Sequence, residues 1–158
     1  MSTIEVRFSP LPAHVRTARL VALSVARRAR VDDEQLDEVR LAVGETCSRA
    51  VGVHIARGTD ELVTMRLSDD LDRFTIEVIN VGTLADDPTA SLDLVEASTR
   101  ALAEGGQDTD AMPPGFGLAV VSGLVEDLFV TSDGGVTTVR MVWPQVSALA
   151  DLAEPTAS

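Results

Sequence analysis

"GETCSRAVGVH", residues 44–54, continues "LDEVRLAV", residues 36–43, and the two together read as one long helix. Leu36, Val39, Val43, Ala50 and His54 recur at helical spacing and mark its buried stripe. Asp32 or Asp33 is the expected N-cap, with acids in the first turn. Within this helix Glu45 and Arg49 stand four residues apart, so their side chains lie one above the other on the same face. A carboxylate followed by a guanidinium at that spacing has the favourable orientation for an ion pair. On an exposed helix face such a pair is worth only about 0.3–0.5 kcal/mol; lining a pocket, the same two groups could carry chemistry.

Outward from the helix, the chain alternates its signals. "TIEVRF", residues 3–8, is β-branched and alternating, a strand ended by "SPLP". "HVRTARLVALSVARRAR", residues 14–30, places Val15, Ala18, Ala22, Val25, Ala26 and Ala29 on one helical face, with arginines mostly on the other. "ELVTMRLSDDLDRFTIEVIN", residues 61–80, is a hairpin turning at Ser68 to Asp72. A long segment follows, in which 90–103 can form a helix and 104–114, rich in Gly, Asp and Pro, is expected to be a poorly ordered loop. "FGLAVVSGLV", residues 116–125, is a short apolar helix, and "DLFVTS", "DGG" and "VTTVRMVW" form a last hairpin closed by Pro144. The order β-α-α-β-β-(loop and helix)-α-β-β predicts an α+β, two-layer sandwich: a mostly antiparallel sheet with helices on one face. One domain is expected over 1–143, with 144–158 a partly disordered tail.

Composition narrows the function classes. The chain of 158 residues carries a net charge of −12, and its 13 basic residues are all arginine. Residues 1–82 hold 13 acids and 11 arginines; residues 83–158 hold 12 acids against Arg100 and Arg140 alone. Such an acidic second half opposes nucleic-acid binding, which needs basic surface to neutralise phosphates. It suits either solubility or a partner with a basic patch. No apolar run approaches the ~20 residues of a membrane span, and the N-terminus lacks a signal-peptide layout. With Cys47 the only cysteine, no intrachain disulfide can form, which fits a reducing cytoplasm. Cys47 reads as a small residue at the edge of the core, His54 as core or pocket edge, and His14 carries no recognisable chemistry.

Three short stretches fall in a telling order: the helix "EVRLAVGETCSRAVGVH", the strand end "INVG" (79–82), and "GFGLAVV" (115–121) running into a helix. A G-x-G at a helix start can present backbone N–H groups to an anion. The ordered trio, together with the element order, resembles the GHKL ATPase fold and within it the anti-sigma-factor serine kinases of the RsbW and SpoIIAB type, over roughly residues 3–143. In that family a Glu acts as general base, an Asn one turn later helps hold Mg²⁺, a D-x-G Asp bonds the adenine amino group, and a G-x-G-L motif touches the phosphates. The resemblance therefore assigns Glu45 to the base, Gly82 to the second motif, and Gly115, Gly117 and Leu118 to the third.

Two positions depart from the pattern. Arg49 replaces the Mg²⁺ ligand, so no metal-holding side chain is expected there, and Asn80 replaces the adenine-reading Asp. A guanidinium has no lone pair for a metal, and a neighbouring cation makes Glu45 a poorer base. Asn80 offers an uncharged and weaker acceptor. Arg49 could alternatively contact phosphate directly, standing in for the charge of Mg²⁺. The resemblance implies a cytoplasmic regulator that switches between a sigma factor and a STAS-domain antagonist, forms a homodimer, and touches neither DNA nor membrane. The reaction it implies is transfer of the ATP γ-phosphate to a serine of the antagonist. With Arg49 and Asn80 in place, ATP binding is expected to be weak and little dependent on Mg²⁺. The alternatives are a working serine kinase with an altered metal site and a non-enzymatic STAS-binding scaffold.

Overall fold

The computed structural model describes residues 2–70, 72–83 and 117–145, and of 117–120 the helix alone. Five strands, β1 (Ser2–Phe8), β2 (Val63–Asp70), β3 (Arg73–Val81), β4 (Asp127–Asp133) and β5 (Val136–Pro144), form one sheet in the order β1-β2-β3-β5-β4. Every neighbouring pair is antiparallel. Helices α1 (Pro12–Arg28), α2 (Asp33–Arg57) and α3 (Gly117–Leu124) complete the described elements. The α+β sandwich expected from the element order is the fold observed. The suggested helix over 90–103, the loop 104–114 and the tail beyond Gln145 lie outside the described residues.

Period-two alternation decides which side of the sheet is buried. Val63, Met65 and Leu67 of β2, Phe74, Ile76 and Val78 of β3, and Val139, Met141 and Trp143 of β5 are all buried in one core with the helices. The register sets Phe74 opposite Trp143 and Ile76 opposite Met141, with the two aromatic rings 6.4 Å apart. Helix α2 packs against both α1 and α3 as well as the sheet, so its middle is enclosed on nearly all sides. This is why its burial extends beyond the stripe read from sequence, taking in Ala42, Cys47, Val51 and Val53.

Helix ends follow local chemistry. Asp32 is the N-cap of α2, its carboxylate accepting from the Glu34 N–H at 3.0 Å. Helix α1 starts at Pro12, earlier than the apolar spacing indicates, because the fixed φ of proline suits the first helical turn. Its C-terminus closes with the Val31 N–H donating to Ala26 O and Arg30 N–H to Arg27 O. Arg30 thereby sits at φ 61°, the left-handed region where a Cβ costs about 1–2 kcal/mol. At the equivalent place after α2 stands Gly58, φ 67°. Arg30→Gly is expected to raise stability by about 0.5–1 kcal/mol, part of the relief being lost to greater unfolded-state entropy; urea unfolding measures it. The hairpin turn is tighter than Ser68 to Asp72, since β2 runs to Asp70 and β3 starts at Arg73. Pro144 ends β5 as expected, and Gln145 is still held by Asp72 O and by the Asp69 carboxylate. No helix among the described residues is long and apolar enough to cross a membrane.

Candidate functional site

The apolar inner face of the sheet changes character at one end. Continuing Phe74, Ile76 and Val78 by two residues brings Asn80 inward; continuing Trp143, Met141 and Val139 brings Thr137 inward. The two are cross-strand partners and both are buried. Helix α2 meets this polar end with Arg49, which is 4% exposed. A buried guanidinium must be hydrogen-bonded, and Arg49 Nη1 donates to Asn80 Oδ1 at 3.0 Å. The Asn80 carboxamide in turn donates from Nδ2 to Val81 O at 2.8 Å. The two residues read from the sequence as departures from the resembled pattern are therefore in direct contact, which the sequence spacing did not anticipate.

Glu45, one turn before Arg49, is 6% exposed. Burial of both residues rules out a solvent-exposed helix pair. The helix passes this point beside α1: a Cβ built on Gly44 would stand 3.0 Å from the Arg19 Cδ, so glycine at 44 gives the Arg19 stem room to cross α2. Thr46 anchors the same turn to β5, its hydroxyl donating to Ala42 O at 2.7 Å and lying 3.4 Å from Met141 Sδ.

The strand end that follows Asn80 is bonded from three directions. Val81 N–H donates to His54 Nε2 at 2.9 Å. Since Nε2 accepts, the imidazole proton is on Nδ1, which donates to Glu61 O at 2.8 Å. His54 is thus a neutral bridge joining α2 to the segment before β2 and to the end of β3. Gly82 N–H donates to Gly135 O at 2.7 Å, and Thr137 Oγ1 donates to Gly82 O at 2.7 Å. The Thr137 proton being committed there, Ser132 must donate to Thr137 across their 2.9 Å contact. Gly82 itself has φ 107°, a conformation closed to side chains with a Cβ. Of the remaining sequence-predicted positions, Gly117 opens α3 and Leu118 lies in its first turn, while Gly115 is outside the described residues.

Thr137 is the residue that sequence reading missed as part of this site, while His54, read as core or pocket edge, is fully buried and bonded here at both ring nitrogens. The signal was present: on two adjacent strands an apolar inner-face series ends in a polar residue at matching register. Cys47 is fully buried, and burial pushes its thiol up to about 12, opposed by the Arg19 charge. The sign follows: a raised folded pKa contributes stability that is complete below the unfolded value and is lost as pH rises. The chain has neither lysine nor tyrosine, so no other side chain titrates between pH 9 and 12. Stability is expected to fall by up to about 1.4 kcal/mol per pH unit above 9, and Cys47→Ala should abolish that slope in alkaline urea unfolding.

The donor set can be weighed against a nucleotide and its metal. Arg49 offers only N–H donors, so position 49 does not fit a cation. Asn80 Oδ1 already accepts from Arg49, so position 80 offers an amino group only one further, uncharged lone pair. Among the described residues no three of His, Cys, Asp and Glu group as metal ligands would.

Comparison with known proteins agrees with the fold. The histidine kinase-like ATPase domain family matches residues 8–143. The crystal structure of the RsbU and RsbW domains of Rv1364c from Mycobacterium tuberculosis is similar at 14% identity and TM-score 0.60, over 90% of this chain and 32% of that one. The SiaB-SiaC complex from Pseudomonas aeruginosa is similar at 12% identity and TM-score 0.58, over 87% and 88%. The chain thus spans about a third of the first of these structures. No curated protein matches the sequence. By the extent of the family match, which takes in all three described helices and the sheet from Phe8 to Trp143, the chain belongs to the histidine kinase-like ATPase domain family.

Proposed function

We propose that the protein is a cytoplasmic partner-switching regulator of the anti-sigma type whose nucleotide site has degenerated. The observation that carries this is the 3.0 Å bond from Arg49 to Asn80. The residue replacing the metal ligand is bonded to the residue replacing the adenine reader. Each takes up hydrogen-bonding capacity that the nucleotide and its Mg²⁺ would need. ATP is a possible ligand of the domain family; in this chain it binds weakly and with little dependence on Mg²⁺. The partners are a STAS-domain antagonist and a sigma factor, and the chain pairs with itself. One neighbour in fold carries an RsbW domain and another is the SiaB-SiaC complex, which supports the partner-switching class.

Glu45, at the family's base position and buried one turn from Arg49, favours a working serine kinase, as does the G-x-G-L sequence at Gly115, Gly117 and Leu118. Affinity capture from the native cytoplasm, with and without Mg-ATP, separates the two readings. The regulator reading expects the same STAS-domain protein in both captures. Capture that requires Mg-ATP, or that returns a phosphorylated antagonist, supports the kinase; capture with no STAS-domain protein contradicts both.

A further inference from the structure

The outer face of the sheet plays no part in the nucleotide region, yet it carries a regular pattern. The strand register aligns one side chain from each strand in a single row: Glu5, Arg66, Glu77, Arg140 and Phe129, in the spatial order β1-β2-β3-β5-β4. Their strand neighbours Met65, Ile76, Val139 and Met141 face the core, so period two turns the row outward. Glu5 Oε2 accepts from Arg66 Nη2 at 3.2 Å, and Arg66 Nη1 stands 4.0 Å from the Glu77 carboxylate. Arg66 first, then Arg7, holds the Glu5 carboxyl below the usual carboxylate range. At the other end the Arg140 guanidinium lies 5.9 Å from the centre of the Phe129 ring, which is 51% exposed. The charges alternate in sign across four strands. On the central strands the flanking outward residues are Thr64 and Ser68 on β2, Thr75 and Ile79 on β3, and Thr138 on β5, while Val142 of β5 is itself buried.

We propose that this row is the self-complementary surface through which a second copy of the chain docks, face to face and with a two-fold axis parallel to the strands. The inference rests on the self-pairing in the function proposed above and adds its face and its axis. Two in-plane axes can relate facing sheets. An axis along the row sets every charge against its own kind, which is repulsive. An axis along the strands, passing between β2 and β3, reverses the row. Glu5 then faces the second copy's Arg140, and Arg66 faces the second copy's Glu77, with their symmetry mates completing four opposite-charge pairs. That axis also keeps the strands of the two sheets aligned, the arrangement in which twisted sheets pack as sandwiches. Phe129 falls just beyond the second copy's β1, at the rim. Charge pairs across an interface fix register and partner more than they add affinity, so the association is reversible and weakened by salt.

Sedimentation velocity on the full chain tests this at low and high salt. Wild type is expected to dimerise, with affinity falling about tenfold or more as salt rises. Arg140→Glu should abolish dimerisation by setting two like charges opposite each other. Adding Glu5→Arg to that variant should restore it. Glu5 and Arg140 are separated by two strands within one sheet, so restoration cannot come from a contact inside the chain. Melting curves confirm that both variants are folded; if Arg140→Glu alone unfolds, Glu5→Arg alone, which should be monomeric, takes its place. A dimer indifferent to these reversals, or one not restored by the pair, overturns the inference and leaves self-pairing standing. A monomer under all conditions overturns self-pairing too, while leaving the nucleotide site and its partners untouched.

Discussion

His54→Leu is expected to lower unfolding free energy by about 2 kcal/mol, although leucine nearly matches the volume of the imidazole. The lost bonds explain this. Removing the ring leaves the Val81 N–H and the Glu61 carbonyl, bonded at 2.9 and 2.8 Å, without their partners. A fully buried polar group so stranded costs about 1–3 kcal/mol, and these two half-buried ones about 1 kcal/mol each. The two halves can be separated by choice of replacement. An asparagine amide can donate toward Glu61 O as Nδ1 does, and a glutamine carbonyl can reach Val81 N–H as Nε2 does. Each should recover part of the loss, and neither all of it. Urea unfolding of the three variants gives the values; a loss under about 1 kcal/mol for leucine would mean that water replaces both bonds.

The second large effect concerns Arg49 and Asn80 as a pair. Arg49→Met keeps the stem and removes the guanidinium, leaving Asn80 Oδ1 a buried acceptor without this donor. It also removes the positive charge one turn from the buried Glu45. A loss of about 2–3 kcal/mol is expected. Asn80→Leu removes the acceptor instead, together with the bond to Val81 O. In the double variant the shared bond is counted once, so its loss should fall short of the sum by about 1–2 kcal/mol. Strict additivity would show that the contact carries no energy. An exposed pair would have given under about 0.5 kcal/mol at either position.

Much of the fold was legible because its signals are local. The alternation of β2, β3 and β5, the apolar stripe of α2 and the turn residues between them specify elements, and their order specifies a sheet with helices on one face. The helix boundaries were legible to within a turn. Pro12, read first as a strand breaker, also begins α1, since proline serves both uses. The site was legible only in its parts. Glu45, Arg49, Asn80 and Gly82 could each be picked out by a motif, but the contact from Arg49 to Asn80 joins residues 31 positions apart. That contact depends on how far the arginine side chain reaches across the α2–β3 interface, which periodicity does not encode. His54 had the same difficulty: on sequence it belongs to a buried stripe, and only the backbone groups brought to both ring nitrogens make it a bridge. Thr137 was hidden among the β-branched residues of an ordinary strand, distinguishable only once β3 and β5 are set in register.

The central claim is that the bond from Arg49 to Asn80 stands in place of contacts to a nucleotide and its metal. Either single reversion should then fall short. Asn80→Asp would hand Arg49 a carboxylate and tighten their contact, and Arg49→Asn would supply an oxygen ligand while leaving adenine recognition uncharged. Calorimetric titration of ATP, with and without Mg²⁺, into wild type and the Arg49→Asn/Asn80→Asp double variant is the most direct measurement. The account predicts weak or undetectable binding to wild type, insensitive to Mg²⁺, and a Mg²⁺-dependent gain of at least about tenfold in the double variant. A tight, Mg²⁺-dependent site in wild type, lost rather than improved in the double variant, would contradict it.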